Sequence, residues 1–301
     1  MTIPAELLAR IESGKILLVL GLGLNKGTSA SPEKLAQVLS ARVGDSKPRD
    51  GSFRSIAELY SLITQSEFDL LDLVSDAVRR ARASESHERV ADLISLTTQT
   101  GRRPFGSVLY LCYDNFLEEA LKARGIPSVP IVTSEDAQFA RQDSVHIGYL
   151  WGMAPHPRTL RLTKNSLNNL LNNLLTDERS DLVHWMRAAA VEATWICLGV
   201  DLDDEWVQNL YDSLVYRQHY APQPLYACGR TIDETSRLTW QKWGAKIVAE
   251  EPDVFLGELV AILKRRWGRD HQQEERPIQA TEISPASALP LLTTTSLTLS
   301  P

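Results

Sequence analysis

The stretch KILLVLGLGLN, residues 15–25, decides the fold class of this 301-residue chain. Its apolar run at 16–20 is uninterrupted, which is typical of a strand buried on both faces of a parallel sheet. Gly21 and Gly23 follow at once, and glycine allows a backbone to turn tightly and to approach a phosphate. Because the third glycine of GxGxxG is missing, two interpretations stay open: a nucleotide-binding turn and a tight turn without a ligand.

Segments of the same strand character recur along the chain, separated by segments with helical periodicity. This alternation predicts a doubly wound α/β parallel sheet. The predicted strands are 15–21, 107–112, 128–133, 159–163, 194–199, 224–229 and 245–248. The predicted helices include 3–11, one that begins at Pro32 behind Ser31, 115–122, 204–216, 231–243 and 252–267.

Residues 53–98 break this rhythm, because they show helical periodicity and no convincing strand. We predict a helical insertion, placed either as a lobe over the carboxyl edge of the sheet or as extra helices packed on one sheet face. Residues 279–301 are rich in Ser, Thr, Pro and Leu and carry one charge, at Glu282. We therefore expect a folded domain over residues 1–268 and a disordered tail or linker over 269–301.

The composition excludes several classes of function. The chain has 32 Lys and Arg against 38 Asp and Glu, a net charge of −6, which gives no broad attraction to nucleic acid or to an anionic membrane. The three cysteines are far apart and form no CxxC pair, which excludes a zinc ribbon. The longest apolar stretch, 16–24, is too short to span a bilayer, which needs roughly 20 residues. We expect a cytoplasmic protein.

Polar residues at the ends of two predicted strands are candidates for a site, since ligands of parallel sheets bind at strand carboxyl ends. Asp114 follows the strand 107–112, where it would either orient a ribose or amide or cap the next helix. An acidic cluster, 201–205, follows the strand 194–199. Such carboxylates suit Mg²⁺, but the dipole of the following helix also favours them, and we expect no metal.

Five segments, taken in chain order, resemble the motifs of bacterial sirtuin-like domains. The resemblance extends over roughly residues 5–263 and implies a Rossmann-like sheet with a smaller helical module and NAD⁺ as the ligand. Many relatives without a zinc ribbon are NAD⁺ hydrolases in bacterial antiviral defence. The segments are GLGLN at 21–25, YLCYDNFLEEAL at 110–121, YLWG at 149–152, TLRLTKNSL at 159–167 and CLGVDLDDEWVQNL at 197–210.

The resemblance also implies functional positions. The family uses an Asn that positions a water and the nicotinamide ribose, and a His that acts as general base toward a ribose hydroxyl. Cys112 and Trp151 stand at these positions, and the indole has no basic nitrogen. A shifted alignment would offer His146 as the base. The implied cofactor-binding residues are Gly21, Leu22, Gly23, Asn25, Asp114, Gly199 and Asp201.

The sequence thus predicts a sirtuin-like pseudoenzyme, a nucleotide-binding or structural subunit of a bacterial, anti-phage assembly that works with a protein partner or as a homo-oligomer. NAD or ADP-ribose is the expected ligand. ADP-ribose should bind at least as well as NAD⁺, because it lacks the nicotinamide that Trp151 would exclude. Two alternatives stay open: an active NAD⁺ hydrolase with a rearranged site, and a protein-interaction scaffold whose pocket is plugged by side chains.

Overall fold

A computed structural model describes residues 3–44, 48, 51–139, 143–176, 180–191, 193–216, 224–228 and 232–267. Within these residues the chain folds into one sheet of seven parallel strands, as the alternating sequence pattern predicts. The strands are β1 (Ile16–Gly21), β2 (Ser107–Leu111), β3 (Ser128–Ile131), β4 (Val145–Tyr149), β5 (Thr194–Leu198), β6 (Leu225–Cys228) and β7 (Ala245–Val248).

Helices cover both faces of the sheet. They are α1 (Ala5–Ser13), α2 (Pro32–Val43), α3 (Phe53–Thr64), α4 (Glu67–Arg79), α5 (Glu85–Ser95), α6 (Phe116–Ala123), α7 (Ser134–Ala137), α8 (Lys164–Thr176), α9 (Asp181–Val191), α10 (Glu205–Tyr211), α11 (Glu234–Lys242) and α12 (Pro252–Trp267). Two 3₁₀ turns, Leu22–Asn25 and Pro157–Thr159, and a π-helical turn, Asp212–Tyr216, complete the elements.

The strand order β3-β4-β2-β1-β5-β6-β7 places the reversal of the chain at β1. β1 pairs with β2 on one side and with β5 on the other, so the two halves of the sheet are wound in opposite directions from this strand. In open α/β sheets, ligands bind outside the carboxyl ends of the strands at such a switch point. The fold therefore predicts a ligand site among the residues that follow β1 and β5.

β1 shows why the sheet is buried on both faces. Leu17 and Val19 belong to one hydrophobic core, whereas Ile16, Leu18 and Leu20 belong to a second core on the opposite face. The first core, here the α2 face, also contains residues of α2, α3, α4, α8, α9, α10 and α11. The second core, the α12 face, contains residues of α1, α5, α6 and α12.

The predicted strand 159–163 is wrong, and β4 was not predicted. Residues 159–163 donate backbone hydrogen bonds to the segment after β4, among them one from Arg161 N to Trp151 O, instead of joining a ladder. Their alternation reflects burial of two leucines in the α2 face. The sequence of β4, VHIGY, contains a glycine and was therefore not predicted as a strand. In the structure the ring of Trp185 occupies the space where a side chain at Gly148 would lie.

The helical insertion is confirmed as helices, and each of its two predicted placements describes part of it. α3 and α4 pack on the α2 face, and the first turn of α3 reaches the carboxyl edge of the sheet. α5 packs against α6 and α12 on the α12 face. The predicted tail, 269–301, lies outside the described residues. In the part of the chain that the structure describes, no helix is both long and apolar enough to cross a membrane.

The ends of β1 and β5 are held together by glycines in close contact. A Cβ on Gly21 would overlap the carbonyl oxygen of Gly199, and a Cβ on Gly23 would lie 2.7 Å from the same oxygen. Gly199 itself has a φ of 63°, and its Cβ would lie 2.6 Å from the amide nitrogen of Leu24. Because real Cβ atoms do not approach backbone this closely, these three positions require glycine for packing alone.

We predict that Gly21→Ala lowers the free energy of unfolding by about 2 kcal/mol, since the added methyl must push apart two strand ends. Gly106→Ala is the matched control, because a Cβ at Gly106 meets no atom within 4 Å. It should change the free energy by less than about 0.5 kcal/mol. Urea unfolding of both variants checks this, and equal stabilities would contradict the packing role of Gly21.

Candidate functional site

A cavity of about 700 Å³ opens at the carboxyl edge of the sheet, at the switch point between β1 and β5. Its volume is within the range of roughly 300–1,000 Å³ usual for small-molecule sites. Its lining comes from the turn after β1, the first turns of α2 and α3, the ends of β2, β5 and β6, the loop before α10, the start of α12, and Trp151.

The structure brings most, but not all, of the predicted site residues to this cavity. Trp151 lines it, as do Gly21, Leu22, Gly23, Gly199 and Asp201. Asn25, Asp114 and Cys112 are buried and lie outside the lining. Residues that the sequence did not suggest also line it, among them Lys26, Glu33, Arg54, Cys228 and Glu251.

Trp151 and Arg54 line the cavity next to each other, with the guanidinium of Arg54 stacked over the Trp151 ring. The guanidinium carbon of Arg54 lies 4.7 Å from the centroid of the Trp151 ring. Nη1 of Arg54 donates to both carboxylate oxygens of Asp204, at 2.7 and 2.6 Å. Asp204 in turn caps α10 by accepting from Trp206 N. Burial raises the pKa of Asp204, and the Arg54 charge opposes that rise.

Cys112 cannot serve as a nucleophile for this cavity. Its side chain belongs to the core of the α12 face, whereas Trp151 belongs to the α2 face. The thiol lies 3.9 Å from the carbonyl oxygen of Leu20. Burial raises the pKa of Cys112 well above its usual value, and the nearby Asp114 raises it further. The thiol is therefore protonated at neutral pH, and a protonated thiol is a poor nucleophile.

The lining of the cavity carries more carboxylates than cations. Five carboxylates, Glu33, Asp201, Asp203, Asp204 and Glu251, face two cations, Lys26 and Arg54. Both cations are paired, since Lys26 lies 3.1 Å from Glu251 and Arg54 contacts Asp204. The excess of negative charge opposes an anionic group unless the group displaces one of these pairs.

A family model described as "SIR2-like domain" matches residues 107–248, which extend from β2 to β7. Over these residues, just under half of the chain, the sequence matches the sirtuin-like family. The resemblance found in the sequence is thus confirmed at the level of the family, and SIR2-like domains are NAD-related. No curated protein matches the chain significantly. The matched range supplies the ends of β2, β4, β5 and β6, while β1 and the helical insertion lie outside it.

The backbone amides of the glycine turn after β1 are less available to a phosphate than the sequence predicts. Gly23 N donates to Gly199 O at 2.8 Å, so this amide is already engaged. The next helix, α2, begins with Pro32, which has no N–H, and places the carboxylate of Glu33 at the cavity. Replacing Gly23 would disturb the contact with Gly199 and would therefore not report on a phosphate alone.

Asp114 has a structural role below the cavity. It accepts from Asn25 Nδ2 at 2.6 Å, from the hydroxyl of Tyr110 at 2.5 Å and from Phe116 N at 3.1 Å. The bond from Phe116 N reaches the first residue of α6, but Asn115, and not Asp114, is the N-cap of that helix. The bond from Asn25 fixes the 3₁₀ turn that forms one wall of the cavity.

His87 completes this buried group and was not suggested by any motif. Ser84 N donates to His87 Nδ1 at 3.2 Å, so the ring proton belongs on Nε2, which faces Asp114 Oδ1 at 3.7 Å. The hydroxyl of Ser84 donates to Leu24 O, which ties α5 to the same turn. Burial lowers the pKa of His87, with Asp114 opposing the shift.

The other candidate bases lie away from the cavity. His146 is the second residue of β4, at the end of that strand opposite the carboxyl edge. His156 is exposed, as expected for a residue between two prolines in a loop. The acidic cluster has local partners, since Asp203 accepts from Asp233 N and Asp204 caps α10. Across the described residues, no three His, Cys, Asp or Glu side chains are arranged to hold a metal ion.

We predict that His87→Gln flattens the pH dependence of stability. Because the pKa of His87 is lowered by folding, the unfolded chain takes up a proton first, and the free energy of unfolding falls as the pH drops below about 6.5. Gln at this third helical position keeps an acceptor for Ser84 N and does not titrate. Urea unfolding between about pH 7 and 5 checks this. His156→Gln is the control, and a His87→Gln curve parallel to the wild type would contradict the prediction.

Proposed function

We propose that this sirtuin-like protein binds an NAD-type ribonucleotide, NAD⁺ or ADP-ribose, and does not hydrolyse NAD⁺ by the histidine-based chemistry of its relatives. The observation that carries the proposal is the cavity at the switch point. Its wall contains Trp151, and none of the described residues that line it is a histidine. The site retains a volume suited to a ligand and lacks the base.

Hydrolysis by the histidine-based mechanism needs a general base in the cavity. A general base must reach the proton it removes, at about 3 Å, and its pKa must suit the pH at which the enzyme works. The indole of Trp151 donates a hydrogen bond and accepts no proton. The thiol of Cys112 is buried in the opposite core. Replacing Cys112 by Asn would bury an amide there and would not restore the family's catalytic pair.

One observation favours the alternative of an active hydrolase with a rearranged site. Cleavage of an N-ribosyl bond passes through a transition state with positive charge on the ribose, as in other glycoside cleavage, and carboxylates stabilise such charge. Asp201 and Asp203 line the cavity. Burial raises the pKa of Asp203, while the hydrogen bond from the Asp233 backbone N–H opposes the rise and the Asp233 carboxylate adds to it. This alternative places catalysis on carboxylates instead of imidazole.

The role as a subunit of a bacterial anti-phage assembly, in the cytoplasm, remains part of the proposal, and the family resemblance supports it. Exposed apolar side chains support a protein partner or a second copy of the chain. Leu62, Ile63 and Phe68, on neighbouring helices α3 and α4, expose 67%, 50% and 66% of their surface. Large apolar side chains grouped on a surface mark interaction sites more often than isolated ones do.

Binding without turnover is the expected result. Calorimetry with NAD⁺ and with ADP-ribose should give saturable binding, and a ligand at a hundredfold excess over its dissociation constant should stabilise the fold by about 2.7 kcal/mol. Chromatography of the same mixtures should show no release of nicotinamide above the buffer rate. Cys112→Ala should bind both ligands as the wild type does, because the thiol lies away from the cavity.

Three outcomes would contradict the proposal. Turnover that is lost in Asp201→Asn or Asp203→Asn, with Glu205→Gln as the exposed control outside the lining, would support the carboxylate hydrolase. Turnover lost in Cys112→Ala would revive a cysteine mechanism. A folded protein that binds neither nucleotide would leave the scaffold as the better account.

A further inference from the structure

The helices α3 and α4 form a hairpin whose end, residues 62–68 and here the hairpin tip, is an uncovered apolar surface. Three large apolar side chains of the hairpin tip, Leu62, Ile63 and Phe68, are exposed. The core does not use them, because α3 and α4 contribute other residues to the α2 face, among them Tyr60 and Leu71. The remaining large exposed apolar side chains among the described residues are single residues on four other segments, as is normal for a protein surface.

The turn between the two helices holds the hairpin tip in a fixed arrangement. Only Gln65 and Ser66 join α3 to α4. Gln65 donates its N–H to Ser61 O at 3.0 Å, and its φ of 52° is the only positive φ outside glycine among the residues that the structure describes. The hydroxyl of Ser66 accepts from Asp69 N at 3.2 Å, which caps α4. Because the turn is short and capped on both sides, little conformational entropy is lost when a partner binds it.

The charges beside the hairpin tip are mostly negative. Glu67, Asp69 and Asp72 are exposed in the first half of α4, and none of them forms an ion pair with a described residue. A cation, Arg158, lies next to them, with its guanidinium carbon 5.9 Å from the centroid of the Phe68 ring. The helix dipole also favours carboxylates at this end of α4, so the charges alone do not indicate a partner. Their combination with an exposed apolar group does.

We propose that the hairpin tip binds a segment of a partner protein that presents apolar side chains flanked by lysine or arginine. The apolar side chains of the segment would cover Leu62, Ile63 and Phe68, and its cations would face the three carboxylates. The inference rests on the part of the proposed function in which the chain is a subunit of an assembly. It adds the surface and the chemistry of the partner.

The same charges disfavour a second copy of the chain at this surface. Two hairpin tips packed about a two-fold axis would bring two sets of the three carboxylates together, and like charges across an interface cost free energy. An antiparallel pairing along α4 that set Phe68 of one copy opposite Arg80 of the other would set Asp72 opposite Asp76. A basic segment avoids both repulsions.

The hairpin tip lies away from the nucleotide cavity. α3 begins at the cavity, which Phe53 and Arg54 line, whereas no residue of the hairpin tip lines it. Ile63 comes nine residues after Arg54, which corresponds to about 14 Å along a helix. Binding at the hairpin tip and binding of a nucleotide can therefore be measured separately.

Fluorescence anisotropy with two labelled synthetic peptides tests the inference on the full chain. Both peptides carry leucines in an amphipathic helical pattern, and one has lysine where the other has glutamate. The wild type should bind the Leu/Lys peptide at least about tenfold more tightly than the Leu/Glu peptide. Combining Leu62→Ser with Phe68→Ser should weaken the Leu/Lys peptide about tenfold. Combining Asp69→Asn with Asp72→Asn should weaken it about threefold at low salt and not at high salt, because salt screens exposed charges.

Leu238→Ser is the matched control, because Leu238 on α11 is a single apolar residue that exposes 57% of its surface. It should bind the Leu/Lys peptide as the wild type does. A second measurement needs no variant. A Leu/Lys peptide that carries a benzophenone should crosslink to the wild type within residues 58–72, as mapped by mass spectrometry.

Three results would overturn the inference: equal binding of the two peptides, an affinity that the Leu62→Ser and Phe68→Ser variant retains, or crosslinks confined to other segments. Self-association of the wild type that this variant loses would assign the hairpin tip to a second copy instead. Each result leaves the nucleotide part of the proposed function intact, since the variant should bind NAD⁺ and ADP-ribose as the wild type does. A wild type that binds the Leu/Lys peptide at the hairpin tip and neither nucleotide would overturn that part alone.

Discussion

The close approach of the glycine turn after β1 to Gly199 after β5 determines how the two central strands meet at the cavity. These strand ends meet at the point where the sheet reverses direction, and a side chain at Gly21 or Gly23 would force them apart. The contact brings the cavity wall from β1 next to the acidic loop that precedes α10. The turn is then fixed from below by the bond from Asn25 to Asp114 and by the hydroxyl of Ser84 on Leu24 O. Glycine here serves the packing of the protein first and a ligand second.

The cavity lies where α/β sheets usually bind ligands, and none of the described residues that line it is a histidine. α/β sheets bind ligands at the carboxyl ends of their strands, as at β1 and β5 here. The match to the SIR2-like domain includes β5 but not β1. The side chains at the edge, however, favour a different charge. They include Trp151, Arg54 paired with the half-buried Asp204, and further carboxylates. We propose that the protein binds an NAD-type ribonucleotide in this cavity without hydrolysing it.

Much of the fold could be predicted from the sequence, because buried parallel strands leave uninterrupted apolar runs. Six of the seven strands, including β1, were predicted on this basis. β4 was missed because its glycine, Gly148, weakens the apolar pattern of a strand. The ring of Trp185 packs in the space beside Gly148, and a contact so distant in sequence is not visible in a local pattern. The segment 159–163 was wrongly predicted as a strand because buried leucines alternate there without a neighbouring strand to pair with.

The site was predicted less completely than the fold. Gly21, Gly199, Asp201 and Trp151, which the motifs suggested as site positions, line the cavity at the strand ends. Cys112 was assigned to the site by its position in the motif, but the side chains of a strand alternate between faces, and this one faces the opposite core. Arg54 could not be found, because it meets Asp204 across 150 positions of sequence.

We propose that the cavity holds a pyridine nucleotide and leaves its N-ribosyl bond intact. A crystal structure determined after prolonged exposure to NAD⁺ tests this most directly. We expect electron density for the unbroken dinucleotide between the ends of β1 and β5, with the thiol of Cys112 still packed against Leu20. Density for ADP-ribose with the nicotinamide lost, or an unoccupied cavity at saturating NAD⁺, would contradict it.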